Sequence, residues 1–395
     1  MRRLTLAYLK TESGSGLVLA LAAVAALGVA NSGYGGDYAR LLNAAVPVQA
    51  GGFAETLSVA GWVRALLMAI FFLVLTMELK FELLRGELSN PRRLGLPALA
   101  AVGGFAAPVA LTLVLGGGAT AGWAVGAPTD GAAALAALAL AGPRLAPSLR
   151  VLVMGVALAD NLAAVVLTAL LRDGPVDVAM TAGAGATLAG LALLSRWRRA
   201  PFLFYAIGFA LVWGLTLKSG LGTALAGVAC ALTVPVGARR PGQESMLRFF
   251  MDSLHPYVAF GVLPLFVFSV AGVPLRELRP ADLLQPGPLA VLAALAIGKP
   301  AGVFGACAAA ILSRLVRRPT GAGWAELAGV ALICGAGFTV SFYVAGPAAQ
   351  TGAAGAALRA AVLLGSVAPA LAGGGLLAWV QSERVQGGER QPVLG

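Results

Sequence analysis

Histidine, thiol and charge are all scarce in this 395-residue chain, and each shortage closes off a class of function. The single histidine, His255, and the three cysteines, Cys230, Cys307 and Cys334, have neither metal-ligand spacing nor a disulfide pattern. All three thiols sit within apolar runs and read as small buried side chains. Charged residues make up 11% of the chain, where a soluble domain carries about a quarter. No polar segment is long enough to be a soluble domain, so the net charge of +11 does not read as a nucleic-acid signature. Strand alternation of the outer-membrane barrel type is missing as well.

What the chain has is apolar length: 59% of its residues are hydrophobic and 53 are glycine. About 20 apolar residues cross a bilayer as a helix, and small residues let such helices pack closely. Twelve apolar stretches can be drawn, at 14–31, 58–79, 95–116, 121–140, 149–171, 177–195, 201–218, 221–236, 255–274, 287–313, 325–345 and 356–381. The fold class expected is an all-α polytopic membrane protein with about 12 transmembrane helices, forming one integral membrane domain over 1–395. The stretch GLVLALAAVAALGVA after the leading MRR reads as an uncleaved first helix. RR at 92–93, RWRR at 196–199, RR at 239–240 and RLVRR at 314–318 fall in even-numbered loops. By the bias of basic residues toward the cytoplasm, both termini are expected inside, with 382–395 as a short cytoplasmic tail.

Charge in the hydrocarbon costs about 3 kcal/mol per residue on insertion scales, so each deep charge calls for a reason. Asp130 lies in span 4, Asp160 at the centre of span 5 and Lys299 at the centre of span 10. Glu78 and Glu82 straddle the cytoplasmic end of span 2 with Lys80 between them, which reads as a solvated charged end or a pH sensor. His255 precedes Pro256 at the start of span 9, where a helix-start role competes with pH response. In span 4, AVGAPTDGAAAL places Pro128 and Gly131 around Thr129 and Asp130, and span 11 carries Gly335, Gly337, Thr339 and Ser341 in LICGAGFTVSFYV. Both patterns interrupt a helix, and polar backbone at membrane depth is tolerated only where it is buried in protein or lines a cavity.

The order of these landmarks suggests inverted repeats, about 58–171 and 221–345. A broken span 4 followed by the charged span 5 is mirrored by the charged span 10 followed by a broken span 11. Such repeats place a site at the midplane where discontinuous helices cross. Facing half-helix N-termini would concentrate positive potential there, which Asp130 offsets, while Lys299 complements exposed carbonyl ends. Asp160 and Lys299 share a depth and differ in sign, so they can pair. Burial penalises the charged forms and pairing favours them, so a small rearrangement would let the pair exchange a proton. The structural alternatives are an ion pair that only ties spans 5 and 10, an Asn161 that only bonds between helices, and an Asp130 that only caps a half-helix.

Seven segments carry a resemblance. FFLVLTMELKFELLRGEL (71–88), APTDGAAALAALAL (127–140), VLVMGVALADNLAAVV (151–166), LKSGLGTALAGV (217–228), LHPYVAFGVLPLFVFSVAGV (254–273), IGKPAGV (297–303) and LICGAGFTVSF (332–342) together resemble the bacterial NhaA sodium/proton antiporters, in that family's order. The resemblance implies a twelve-helix inner-membrane protein with crossed, broken spans 4 and 11, exporting Na⁺ or Li⁺ against inward protons in sodium and pH homeostasis. It implies that Thr129 and Asp130 stabilise the crossing and line the site, that Asp160 pairs with Lys299, and that Glu78, Glu82 and His255 belong to the pH response. No prosthetic group, resident metal, enzyme chemistry or nucleic acid is implied; the partners are the transported ions and membrane lipid. By fold-level analogy, GGFAET (51–56) in the first external loop is an edge where a homodimer would form.

The serious departure from the pattern is at the family's second aspartate, which is Asn161 here, with smaller ones at Thr76, Pro128 and Gly131. An amide oxygen can coordinate a hard cation, but it carries no proton in the titration range. Two mechanisms follow. Either Asp160 serves as the cation and proton ligand with Asn161 as a neutral oxygen, or the Asp160–Lys299 pair is permanent. In the second case the chain moves another solute, or has lost coupling and acts as a sensor or structural membrane protein. An intramembrane aspartyl protease would need a Gly-x-Gly-Asp signature that the chain lacks, and it would leave Lys299 without a task.

Overall fold

The computed structural model describes residues 12–50, 53–116, 124–141, 145–170, 175–196, 201–237, 245–346 and 352–386. Outside them lie Gly51 and Gly52, residues 121–123 of span 4, Arg198, Arg199, Arg239, Arg240 and residues 387–395 of the expected tail. Among the described residues the architecture is helical apart from one hairpin. The helices are α1 (Glu12–Ala30), α2 (Gly35–Asn43), α3 (Val59–Leu84), α4 (Pro91–Leu115), α5 (Gly131–Ala141), α6 (Pro147–Leu170) and α7 (Val178–Leu194). Then come α8 (Phe202–Ser219), α9 (Thr223–Thr233), α10 (Met246–Val270), α11 (Pro286–Leu312), α12 (Trp324–Cys334), α13 (Phe338–Ala345) and α14 (Gly352–Gln386). Each of the twelve expected spans contains one of these helices, span 11 being the α12–α13 pair. Eight, counting that pair as one, are long and apolar enough to cross a bilayer, and α7 and α9 are shorter apolar helices. The chain is a multi-pass α-helical membrane protein.

Helix ends follow local chemistry. Asp177 caps α7 through the Met180 amide (3.0 Å), and Ser245 caps α10 through the Arg248 amide (3.1 Å). The left-handed Gly220, at φ 79°, ends α8. The cap on Ser245 corrects span 9, whose helix begins at Met246 rather than 255. The first turns carry Arg248 and Asp252, 3.5 Å apart at i,i+4, and this charge masked the helix in a reading of hydropathy. His255 is therefore an exposed residue inside a continuous helix, and its helix-start reading falls.

Two further features were not expected. β1 (Ala45–Ala50) and β2 (Phe53–Ser58) form an antiparallel hairpin in register Ala45↔Ser58 to Ala50↔Phe53. Single π-turns interrupt three spans, at Val63–Leu67 in α3, Val258–Val262 in α10 and Ala294–Gly298 in α11. The last two precede Pro264 and Pro300 at the second residue of the following α-segment, where a missing N–H unsettles the i→i−4 ladder.

The chain divides into two compact units: Met1–Leu17, Pro91–Asp160 and Arg279–Gly395 form one, Val18–Asn90 and Asn161–Leu278 the other. The first unit contains a core of Leu96, Leu149, Val153, Val156, Val330 and Ile333 with Cys307 and Cys334. Its helices α4 and α11 meet backbone to backbone at Gly103 and Gly302. A Cβ on Gly103 would lie 2.5 Å from both the Gly302 carbonyl oxygen and Ala306 Cβ. This approach sets Lys299 one turn from the contact on α11. In the second unit the Lys80 ammonium, read above as part of a solvated end, donates to the carbonyls of Leu232 (2.6 Å) and Val234 (2.7 Å) at the end of α9.

Candidate ion site at a helix crossing

The site is built in the first unit, where two chain breaks meet. Residues 128–130 have no helical structure, and Ala127, Thr129 and Asp130 are nearly or fully buried. Pro128 lacks a donor and the following stretch cannot satisfy its own backbone, so it bonds to the other break. The Asp130 amide donates to the Ala336 carbonyl at 2.6 Å. The Thr129 hydroxyl lies 3.1 Å from the Cys334 carbonyl at the end of α12. Gly337 permits the approach: a Cβ there would stand 2.9 Å from the Pro128 carbonyl oxygen and 2.6 Å from a Leu295 methyl. At Gly335 the nearest atom would be the Leu295 carbonyl oxygen, at 2.8 Å. Gly131 differs, since a Cβ on it would meet only Ala157 Cβ at an ordinary 3.4 Å.

Asp130 is fully engaged by helix N-termini. One oxygen accepts from the Ala133 amide (3.1 Å) in the first turn of α5. The other accepts from the Thr339 amide (3.1 Å) in the first turn of α13, and from the Thr339 hydroxyl. One carboxylate thus caps two half-helices, each carrying a partial positive charge at its start. Ser366 on α14 adds a third cap, its hydroxyl oxygen accepting from the Phe338 amide at 3.1 Å.

Lys299 and Asp160 complete the charge pattern. The Lys299 ammonium, 0% exposed, donates to Asp160 Oδ2 at 2.6 Å and to the Ala127 carbonyl of the broken segment. The Thr129 hydroxyl is 3.0 Å from the same Asp160 oxygen, and its one proton can serve either that oxygen or the Cys334 carbonyl. Asp160 Oδ1 is buried and has no hydrogen-bond partner among the described residues. Asn161 Oδ1 is likewise buried without one, and neighbouring residues on a helix diverge by about 100°. A buried oxygen left unbonded costs about 1–3 kcal/mol, so each of the two calls for a reason.

The sequence brought Thr129, Asp130, Asp160, Lys299 and Thr339 to attention, and the structure bonds them in two sets, Thr129–Asp160–Lys299 and Asp130–Thr339. Glu78, Glu82 and His255 belong to the second unit. There Glu82 accepts from the Glu87 amide at 2.9 Å and closes the turn after α3. Ser366 went unnoticed although it is a lone hydroxyl in the apolar run AVLLGSVAPAL. Glu326, in span 11, also went unnoticed; it is buried and caps its own helix through the Gly323 amide at 2.6 Å. The carbonyls of Ala127 and Cys334 could not be named from side-chain patterns.

The site is thus a buried carboxylate–ammonium pair at the crossing of two interrupted helices. Residues 6–377 match the family model described as Na⁺/H⁺ antiporter 1. The chain belongs to that family. It is 40% identical over 371 residues to the Na⁺/H⁺ antiporter NhaA 2 of Pseudomonas syringae pv. syringae, covering 93% of this chain and 92% of the relative. Against the Na⁺/H⁺ antiporter NhaA 2 of Magnetococcus marinus it is 39% identical over 347 residues, 87% of each chain. Against the Na⁺/H⁺ antiporter NhaA of Bordetella parapertussis it is 39% identical over 378 residues, 94% of this chain and 95% of that one. Membership therefore covers both breaks and the Asp160–Lys299 pair of this antiporter-family chain.

Proposed function

We propose that this protein is a secondary antiporter of the bacterial inner membrane, exchanging outward Na⁺ or Li⁺ for inward protons by alternating access, with both termini cytoplasmic. The observation that carries the reading is the buried Asp160–Lys299 pair, bonded at 2.6 Å while Asp160 Oδ1 stays unbonded. A small hard cation needs oxygen ligands, and Asp160 supplies the charged one with Thr129 beside it. Asn161 contributes a neutral oxygen. When the cation leaves, Lys299 or a proton restores neutrality at the carboxylate. Asp130 holds the two half-helices in place, and Pro128, Gly131, Gly335, Gly337 and Thr339 keep the breaks open. We assign the two halves, about 58–171 and 221–345, to inverted repeats that rock about this point, and Glu78, Glu82 and His255 to the response to pH. The hairpin at 45–58, with exposed strand edges, is the surface we assign to contact between two copies in the lipid bilayer.

The test is proton movement in proteoliposomes on addition of Na⁺, Li⁺ or K⁺, for the wild type, Asp160→Asn and Asn161→Asp. Exchange by the wild type with Na⁺ or Li⁺, abolished in Asp160→Asn, is the expected result. Asn161 favours the second reading, a descendant that has lost coupling. A wild type silent with every ion, restored by Asn161→Asp, would establish that reading and overturn the first.

A further inference from the structure

We infer that the site exchanges one proton for each alkali cation, so that a transport cycle moves no net charge across the membrane. The inference rests on the proposed antiport and concerns its stoichiometry. It follows from a census of the ionisable groups around the pair. From the broken segment comes Asp130, whose two oxygens are taken by the amides of Ala133 and Thr339 and the Thr339 hydroxyl. Protonating that carboxylate would weaken two helix caps at once, which sets it apart from an exchangeable group. From α11 come Lys299 and Cys307, and from α12 Cys334 and, in its first turn, Glu326, which caps that helix through the Gly323 amide; both thiols are packed in the apolar core. From α4 Gly104 faces the pair, where a Cβ would lie 3.9 Å from Asp160 Oδ2 and nothing titrates. On α6 the residue after Asp160 is the amide Asn161, which neither gains nor loses a proton. Among the described residues of the first unit, the exchangeable groups at the site reduce to one pair, Asp160 and Lys299.

The charge balance can then be written. Without cation the pair holds one carboxylate and one ammonium, a net charge of zero. A cation M⁺ joins the Asp160 carboxylate at its free Oδ1. One N–H bond of Lys299 breaks, the electron pair stays on nitrogen, and the proton leaves to water on the open side. The loaded site again sums to zero. Loading without proton release would leave an uncompensated positive charge in a fully buried place, which is costly. Release of a second proton would need a second free acid, and Asn161 offers none. The cation crosses one way and one proton crosses the other.

Reconstituted protein answers the question. A voltage-sensitive dye reports charge, and K⁺ with valinomycin imposes a potential of either sign. For each net charge moved per cycle, about 100 mV would shift the equilibrium cation distribution about 50-fold. The expected result is Na⁺-driven proton movement with no dye response and no shift under imposed potential. Asn161→Asp adds an acid beside the pair and is expected to make exchange charge the membrane. Calorimetry of Na⁺ binding in buffers of different ionisation enthalpy gives a second reading that needs no variant, with one proton released per Na⁺ expected. Wild-type exchange that builds a potential, or two protons released per Na⁺, overturns the inference and leaves antiport standing. Absence of any cation-driven proton movement overturns antiport itself, and the stoichiometry with it.

Discussion

Two lysines in this protein sit at interrupted or ending helices, one in each unit, and they do different work. Lys80 donates to Leu232 and Val234 and stands 3.5 Å from the Ala231 carbonyl, so it meets the exposed acceptors that close α9. Lys299 also donates to a main-chain carbonyl, that of Ala127, but its other partner is the Asp160 carboxylate. An ammonium among carbonyls complements a helix dipole and shares no carboxylate with an incoming cation. An ammonium that shares its charge with a carboxylate can be displaced by another cation. The second arrangement alone is switchable, and the difference lies in one acidic residue.

The largest effect in breaking that contrast comes from Asp160→Asn. The ammonium of Lys299 would lose its counter-charge while keeping the Ala127 carbonyl, and breaking one side of a buried pair costs about 3–5 kcal/mol. Exchange should vanish and the melting temperature fall. The double variant Asp160→Asn with Lys299→Met removes both charges and should be more stable than Asp160→Asn alone, since no unpaired charge is left. Melting curves of both proteins in detergent, run side by side, would check this. A double variant as unstable as the single would mean the pair is not the source of the loss.

Next comes Asp130→Ala, which strips the cap from α5 and α13 together. Each N-cap is worth about 0.5–2 kcal/mol, so a loss of about 1–4 kcal/mol is expected, with exchange weakened because the crossing loosens. Asp130→Asn keeps one acceptor oxygen and should lose less. Equal melting temperatures for the two variants would refute the double-cap account. A smaller loss is expected for Ser366→Ala, which leaves the buried Phe338 amide without its acceptor at about 1–3 kcal/mol. Its readout is a lower melting temperature with a raised Na⁺ requirement, as the start of α13 shifts. Unchanged Na⁺ dependence would make Ser366 a stability residue only.

The two lysine sites also separate what side-chain patterns can and cannot reveal. Asp160 and Lys299 were legible because each is a single charge amid apolar residues at matching depth. The breaks at 128–131 and 335–339 were legible because proline and clustered glycine mark them. Lys80 was misread as solvated, since its partners are main-chain carbonyls about 150 residues onward that no side-chain pattern announces. The start of α10 was misplaced because Arg248 and Asp252 face outward on an otherwise apolar helix. The π-turns depend on hydrogen-bond register, to which only the prolines at 264 and 300 give a clue. Ser366 matters through an amide one span away, again a main-chain partner. For Lys80 and Ser366, what escaped reading is the backbone half of the polar contact.

Lys80→Met gives the smallest expected effect and sharpens the comparison most. The substitution keeps the apolar stem, so the packing of α3 changes little, and removes only the charge at the C-terminus of α9. A cation there is worth about 0.3–1 kcal/mol when exposed and up to about 2 kcal/mol when partly buried. A small drop in melting temperature is expected, with Na⁺-driven exchange retained at nearly the wild-type rate. Lys299→Met, measured beside it, should lose exchange while sparing no comparable amount of stability, because Asp160 is left as an unpaired buried acid. If Lys80→Met abolished exchange, the ammonium at the end of α9 would be a moving part as well, and a carboxylate partner would not be what distinguishes a switch from a cap.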